Sequence, residues 1–155
     1  MLLCNAAYAA AQAGDRQRCA ELLDDADAAA RLLGADRNHH WTAFGPTNVT
    51  LHRISAAFAL GDAGTAIALA RTVNPAAIPV VERQARYWVD VARSYQQWDK
   101  SAKCYQALRI AERVAPDEVR NRPVVRTLTA GLLSAPAHSG MRGLREFAAR
   151  VGAPA

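Results

Sequence analysis

The sequence predicts an all-α fold built from antiparallel helix pairs. Three observations carry this prediction. First, 35 of the 155 residues are alanine, the best helix former and a poor strand former. Second, hydrophobic residues make up 51% of the chain but aromatics only 6%, too few large side chains for a β-sandwich or barrel core. Third, no segment alternates with period 2, whereas Gly-Asp and Pro breaks cut the chain into helix-length pieces. The apolar content is too high for disorder. No run of 18 apolar residues exists, so no membrane span is expected.

The elements follow in order. Residues 3–13 read as a helix, broken at Gly14-Asp15. A second helix is expected over 16–33, with Asp15 as N-cap and Gly34 as the residue past its end. Residues 34–46 form the longest loop-like stretch. Pro46 or Thr47 opens a third helix to Leu60, and Gly61-Asp62 breaks it. A fourth runs over 64–73 and ends at Asn74-Pro75. Pro79 suits the first turn of a fifth, 80–97. Trp98-Asp99 turns the chain into a sixth, 100–114, which stops before Pro116. Pro123 opens a seventh to Ser134, and an eighth spans 139–152.

The breaks define the pairs 3–33, 46–75, 79–116 and 123–152 within a single helical domain over 1–155. The third pair is the most regular. Trp88-x-x-Val91-Ala92-x-x-Tyr95 matches the W-x-x-L-G-x-x-Y pattern of a tetratricopeptide repeat, and Cys104-x-x-x-Leu108 fills its A-x-x-x-F slot. Ala66-x-x-x-Ala70 and Cys19-x-x-x-Leu23 fill the same slot in the earlier pairs. Antiparallel helices approach closely only where side chains are small, so Cys19, Ala66 and Cys104 read as one packing position used three times. Trp88 and Tyr95 read as core. The expected architecture is a TPR-like right-handed superhelix of about eight helices.

As a whole the chain resembles the C-terminal, TPR-like part of actinobacterial Xre-type helix-turn-helix transcriptional regulators. The segments Phe44–Ala70, Pro79–Leu108 and Ala111–Leu128 carry the resemblance. It implies a domain that binds a signal or mediates dimerisation, beside a DNA-binding domain. The few residues before Cys4 are too short to hold such a domain. Direct nucleic-acid binding by these residues is therefore not expected.

Charge is uneven. Residues 1–79 carry 6 basic and 7 acidic groups, whereas residues 80–155 carry 13 and 7, which points to a basic face in the second half. No Lys/Arg tract with interleaved aromatics accompanies it. Three cysteines without C-x-x-C spacing predict neither a disulfide framework nor a zinc site and fit a reducing, cytoplasmic setting. His39 and His40 in the long loop, and His52 and His138, lack metal spacing. No H-E-x-x-H, G-x-S-x-G or P-loop occurs. The chain is therefore read as non-enzymatic, without metal or cofactor.

A ligand groove is the remaining candidate site. If Trp88, Val91, Ala92 and Tyr95 define packing, then Arg86, Arg93 and Gln97 turn outward. The corresponding residues are Asn48, Leu51, His52 and Ser55 on the third helix, and Asn5, Tyr8 and Gln12 on the first. Arg86 and Arg93 stand two helical turns apart, about 10 Å, and can take carboxylates, while Asn48 can bond peptide backbone. Pairing of Glu82 with Arg86 and of Asp90 with Arg93 is the competing use of those arginines. The expected partner is a peptide, a small signalling molecule or another protein, including a second copy. The alternative is a stand-alone interaction scaffold with no small ligand, acting through end helices that carry Arg142 and Arg145.

Overall fold

A computed structural model describes residues 1–33, 45–136 and 140–154. The described residues are helical throughout, without strands. The helices are α1 (Leu2–Gln12), α2 (Arg16–Leu33), α3 (Pro46–Ala59), α4 (Ala63–Ala70), α5 (Val81–Gln97), α6 (Ser101–Val114), α7 (Pro116–Arg120), α8 (Pro123–Ser134) and α9 (Leu144–Val151), with a 3-10 turn at Pro75–Ala77 between α4 and α5. The long loop with His39 and His40, Gly34, and His138 lie outside the described residues.

Nine helices are thus described where eight were expected. The extra one is α7: Pro116 does not merely close the preceding helix but occupies the first position of a new one-turn helix. There its missing N–H costs nothing. The last helix begins at Leu144 rather than 139, because Gly143 adopts a left-handed conformation (φ 79°) immediately before it.

Four described helix ends share one hydrogen-bonding pattern, three of them at the corners within helix pairs and the fourth after α9, where Gly152 donates to Ala149 and Ala153 to Ala148. After α1, the Gly14 N–H donates to the Ala11 carbonyl and the Asp15 N–H to the Ala10 carbonyl. After α3, Gly61 donates to Phe58 and Asp62 to Ala57. After α5, Asp99 donates to Gln96 and Lys100 to Tyr95. Each is a paired-bond C-terminal cap that satisfies two orphan carbonyls and needs one left-handed residue. Gly14 and Gly61 supply it at φ 79°, and Asp99 at φ 53°. The third corner is therefore Asp99-Lys100, one residue later than the expected Trp98-Asp99. Asp takes the left-handed region more readily than most side chains.

Four residues after each corner lies the small packing position. The N–H groups of Cys19, Ala66 and Cys104 donate to the carbonyls of Asp15, Asp62 and Lys100 at 3.0, 3.0 and 2.9 Å. All three side chains are buried, as are Leu23, Ala70 and Leu108 one turn on. The cysteines sit as packing groups, as expected. Burial raises the pKa of each thiol, that of Cys104 to about 12.

Contacts divide the chain into two compact units, Met1–Pro79 and Val80–Ala155. In the first, α1 pairs with α2 and α3 with α4, and α3 also packs on α1 and α2. The Asn48 amide, early in α3, donates to the Met1 sulfur ahead of α1 at 3.5 Å. Arg16, at the start of α2, donates to the carbonyl of Leu60, just past α3, at 2.7 Å. The first helices of the two pairs therefore run in the same direction, with α2 opposed. Their core is built of small residues: Ala7, Ala11, Cys19 and Ala56 with Leu22 and Leu23, then Cys4, Ala26, Ala30 and Val49.

The core of the second unit uses larger side chains. α5 pairs with α6, and α8 with α9; α8 packs on both α5 and α6. Arg126 early in α8 donates to the Val151 carbonyl late in α9 at 3.0 Å, which fixes that pair as antiparallel. Leu108, Val125, Leu132, Phe147 and Val151 are fully buried. Trp88 and Tyr95 are only half-buried, contrary to the core reading. The buried aromatic of α5 is Tyr87, met edge-on by Trp88 at 5.1 Å between ring centres.

Candidate functional site

The proposed groove residues fall in both units, and each unit is described separately. On α5, Arg86, Arg93 and Gln97 occupy one sector about 40° wide, given 100° per residue. Ala85, Val89 and Ala92 are buried on one side of the helix, and Tyr87, Val91 and Ser94 on another. The polar sector opposite is what remains accessible. Arg86 and Gln97 are exposed. The Arg93 guanidinium is 27% exposed and bonds the Asp90 carboxylate at 3.2 Å. One of the two anticipated internal pairs is therefore formed. The other is not: Arg86 makes no ion pair with a described residue.

In the first unit, Asn5, Tyr8 and Gln12 share one flank of α1, with Asn5 and Gln12 exposed and Tyr8 half-buried. On α3, His52 and Ser55 are half-buried, and the Ser55 hydroxyl donates back to the Leu51 carbonyl at 3.3 Å. Asn48 differs from its expected role. It is 5% exposed, and its side-chain amide is engaged with Met1. Asn48 thus aligns the starts of α1 and α3 rather than presenting an amide to a ligand. A buried amide must satisfy its donors locally, and the apolar neighbours of α3 leave it on the inner side of the helix.

The cluster that sequence reasoning missed lies at the edge of α6, α7 and α9. Glu112 is 11% exposed and accepts two bonds from Arg150, at 2.8 Å to each carboxylate oxygen. Arg120 adds a third bond at 3.1 Å. This charge-assisted set holds the Glu112 carboxyl below the usual carboxylate range, with the Arg150 hydrogen bond the largest cause, opposed by burial. Arg150 lies over the Phe147 ring, 5.7 Å from its centre. Phe147 meets Tyr105 edge-on at 5.9 Å. The Tyr105 hydroxyl donates to the Arg142 carbonyl at 3.0 Å, and Arg109 covers the Tyr105 ring at 5.8 Å. The only signal in the sequence was the arginine excess of residues 80–155. Which helix edges would meet is a tertiary matter.

Among the described residues, no group of three or more His, Cys, Asp or Glu side chains is placed to hold a metal ion. No described helix is long and apolar enough to cross a membrane. No protein-family model, curated protein or solved structure matches the chain.

Proposed function

We propose that this chain is a non-enzymatic, TPR-like helical-repeat domain that senses a peptide or small ligand and mediates protein interaction. In this reading it resembles the regulatory part of an Xre-type transcriptional regulator. One observation carries the reading: the same corner and the same small packing position recur in the pairs α1–α2, α3–α4 and α5–α6, and within the first unit the first helices of the two pairs run in the same direction. In helical-repeat domains generally, stacked pairs present an extended surface that suits extended ligands. The exposed α5 face supplies recognition: Arg86 anchors a carboxylate, Gln97 bonds backbone, and Arg93 exchanges Asp90 for the ligand. Ligand binding acts by population shift, favouring one arrangement of the helix pairs.

The test is a native mass and thermal-shift search for a co-purifying peptide or metabolite. A ligand specific to the folded state must raise the melting temperature by mass action. Arg86→Ala with Arg93→Ala abolishes that shift. An unchanged shift in the double variant removes the α5 face from the proposal. The alternative, a scaffold without a small ligand, is favoured by the exposed arginines of α6 and the segment before α9, which belong to no groove face.

A further inference from the structure

The α6–α9 edge carries more positive charge than the fold uses. Arg109, Arg150, Glu112 and Glu146 act together on Tyr105, Arg120 joins Glu112, and Arg113 and Arg142 lie on the adjoining α6 and pre-α9 segments, five arginines to two carboxylates. Glu112 is consumed by Arg120 and Arg150. Arg109, Arg113 and Arg142 are exposed, and none makes an ion pair with a described residue. Arg109 and Arg113 lie one turn apart on α6, a rise of about 6 Å. Arg142 is tied to the same place through its carbonyl, bonded by Tyr105, whose ring Arg109 covers. Stacking on Tyr105 orders Arg109 in advance, so less side-chain entropy is lost when an anion binds.

We propose that this edge is a docking surface for an acidic segment of a partner protein, a short run of Asp or Glu side chains. The fold itself shows the chemistry: the Arg150 fork and Arg120 already hold a carboxylate here at 2.8–3.1 Å. Three further guanidiniums match two or three incoming carboxylates. They are too few for a duplex backbone, where binding rests on about 6–10 phosphate contacts. The inference rests on the protein-interaction part of the reading above but uses none of the α5 groove residues.

The experiment measures fluorescence anisotropy of labelled hexaglutamate with the full chain at low salt, beside a short labelled DNA duplex. Wild type is expected to bind the peptide, with affinity falling as salt screens the charges. Arg109→Gln, Arg113→Gln and Arg142→Gln together weaken binding at least about tenfold, while Arg71→Gln, at an exposed position of the first unit, does not. Arg113→Gln alone, at an exposed position with no ion pair to a described residue, gives a smaller loss of the same sign, with the melting temperature unchanged as the check on folding. Peptide binding that survives the triple variant, tighter binding of the duplex, or no binding by wild type each overturns the proposal. If only the Arg86/Arg93 variant loses the peptide, the docking surface fails and the α5 groove stands.

Discussion

Arg150 of α9 grips Glu112 of α6 with both arms of its guanidinium fork, each N–O distance being 2.8 Å. The two residues are 38 positions apart, so the contact ties the last helix to the centre of the second unit. Arg120 of α7 joins the same carboxylate, and one side chain thereby links three helices.

Glu112→Gln is expected to destabilise the chain by about 1–2 kcal/mol, the lower end of charged hydrogen-bond values because both arginines are partly solvated. The pH dependence has a definite sign. The folded carboxyl titrates below its ordinary value of 4.5. Its contribution is therefore full above that value and is lost as pH falls through the lower, folded one. Urea unfolding midpoints across this range should show a shallower acid limb for Glu112→Gln than for wild type. Equal limbs would place the acid sensitivity elsewhere.

Asp62 caps α4: its carboxylate accepts from the Thr65 N–H at 3.0 Å, and this bond holds its pKa below the ordinary value. Asp15 occupies the corresponding cap position of α2, accepting from the Arg18 N–H at 2.9 Å. Asp62→Ala is expected to cost about 1 kcal/mol, with Asp62→Ser largely retaining the cap. Chemical denaturation compares the two, and equal losses would show that the cap is not the cause.

Asp99 is the one described non-glycine residue with positive φ, at the position Gly14 and Gly61 fill in the other corners. Asp99→Gly should therefore relieve backbone strain and stabilise by about 0.5–1 kcal/mol. Gly61→Ala should do the reverse by about 1 kcal/mol, although open space surrounds the position. Melting temperatures moving in opposite directions are the expected readout. A destabilised Asp99→Gly would mean that the Asp side chain contributes more than the strain costs.

Cys104 is fully buried, with its thiol pushed up to about 12. Folded protein should leave it unmodified by a thiol-specific disulfide reagent, with reaction appearing only through the unfolding transition. Cys104→Ala should be the mildest substitution, and Cys104→Leu should cost about 1–3 kcal/mol by overpacking the α5–α6 contact. Rapid labelling of native protein would contradict the packing role.

Much of the fold was legible because its signals are local. Gly14 and Gly61 marked corners through the conformation that glycine alone adopts freely. The four-residue offset from corner to Cys19, Ala66 and Cys104 followed from helical geometry. Asp99 misled by one position because a left-handed Asp carries no sequence mark. α7 was missed because Pro116 both ends one helix and starts the next. The α5 sector of Arg86, Arg93 and Gln97 was legible from the 3.6-residue period. Asn48 was not, because its burial depends on Met1, 47 positions away.

By itself the sequence determined that the chain is helical, where most helices begin and end, and which small residues let paired helices approach. These are properties of neighbours along the chain: propensity, capping and period. Only the tertiary structure decided that Trp88 and Tyr95 stay half-exposed while Tyr87 is buried. Only it brought Glu112, Arg120 and Arg150 together, and left Arg109, Arg113 and Arg142 with charge unspent. Pairing between distant helix edges depends on how helices pack against one another, and no local pattern encodes that.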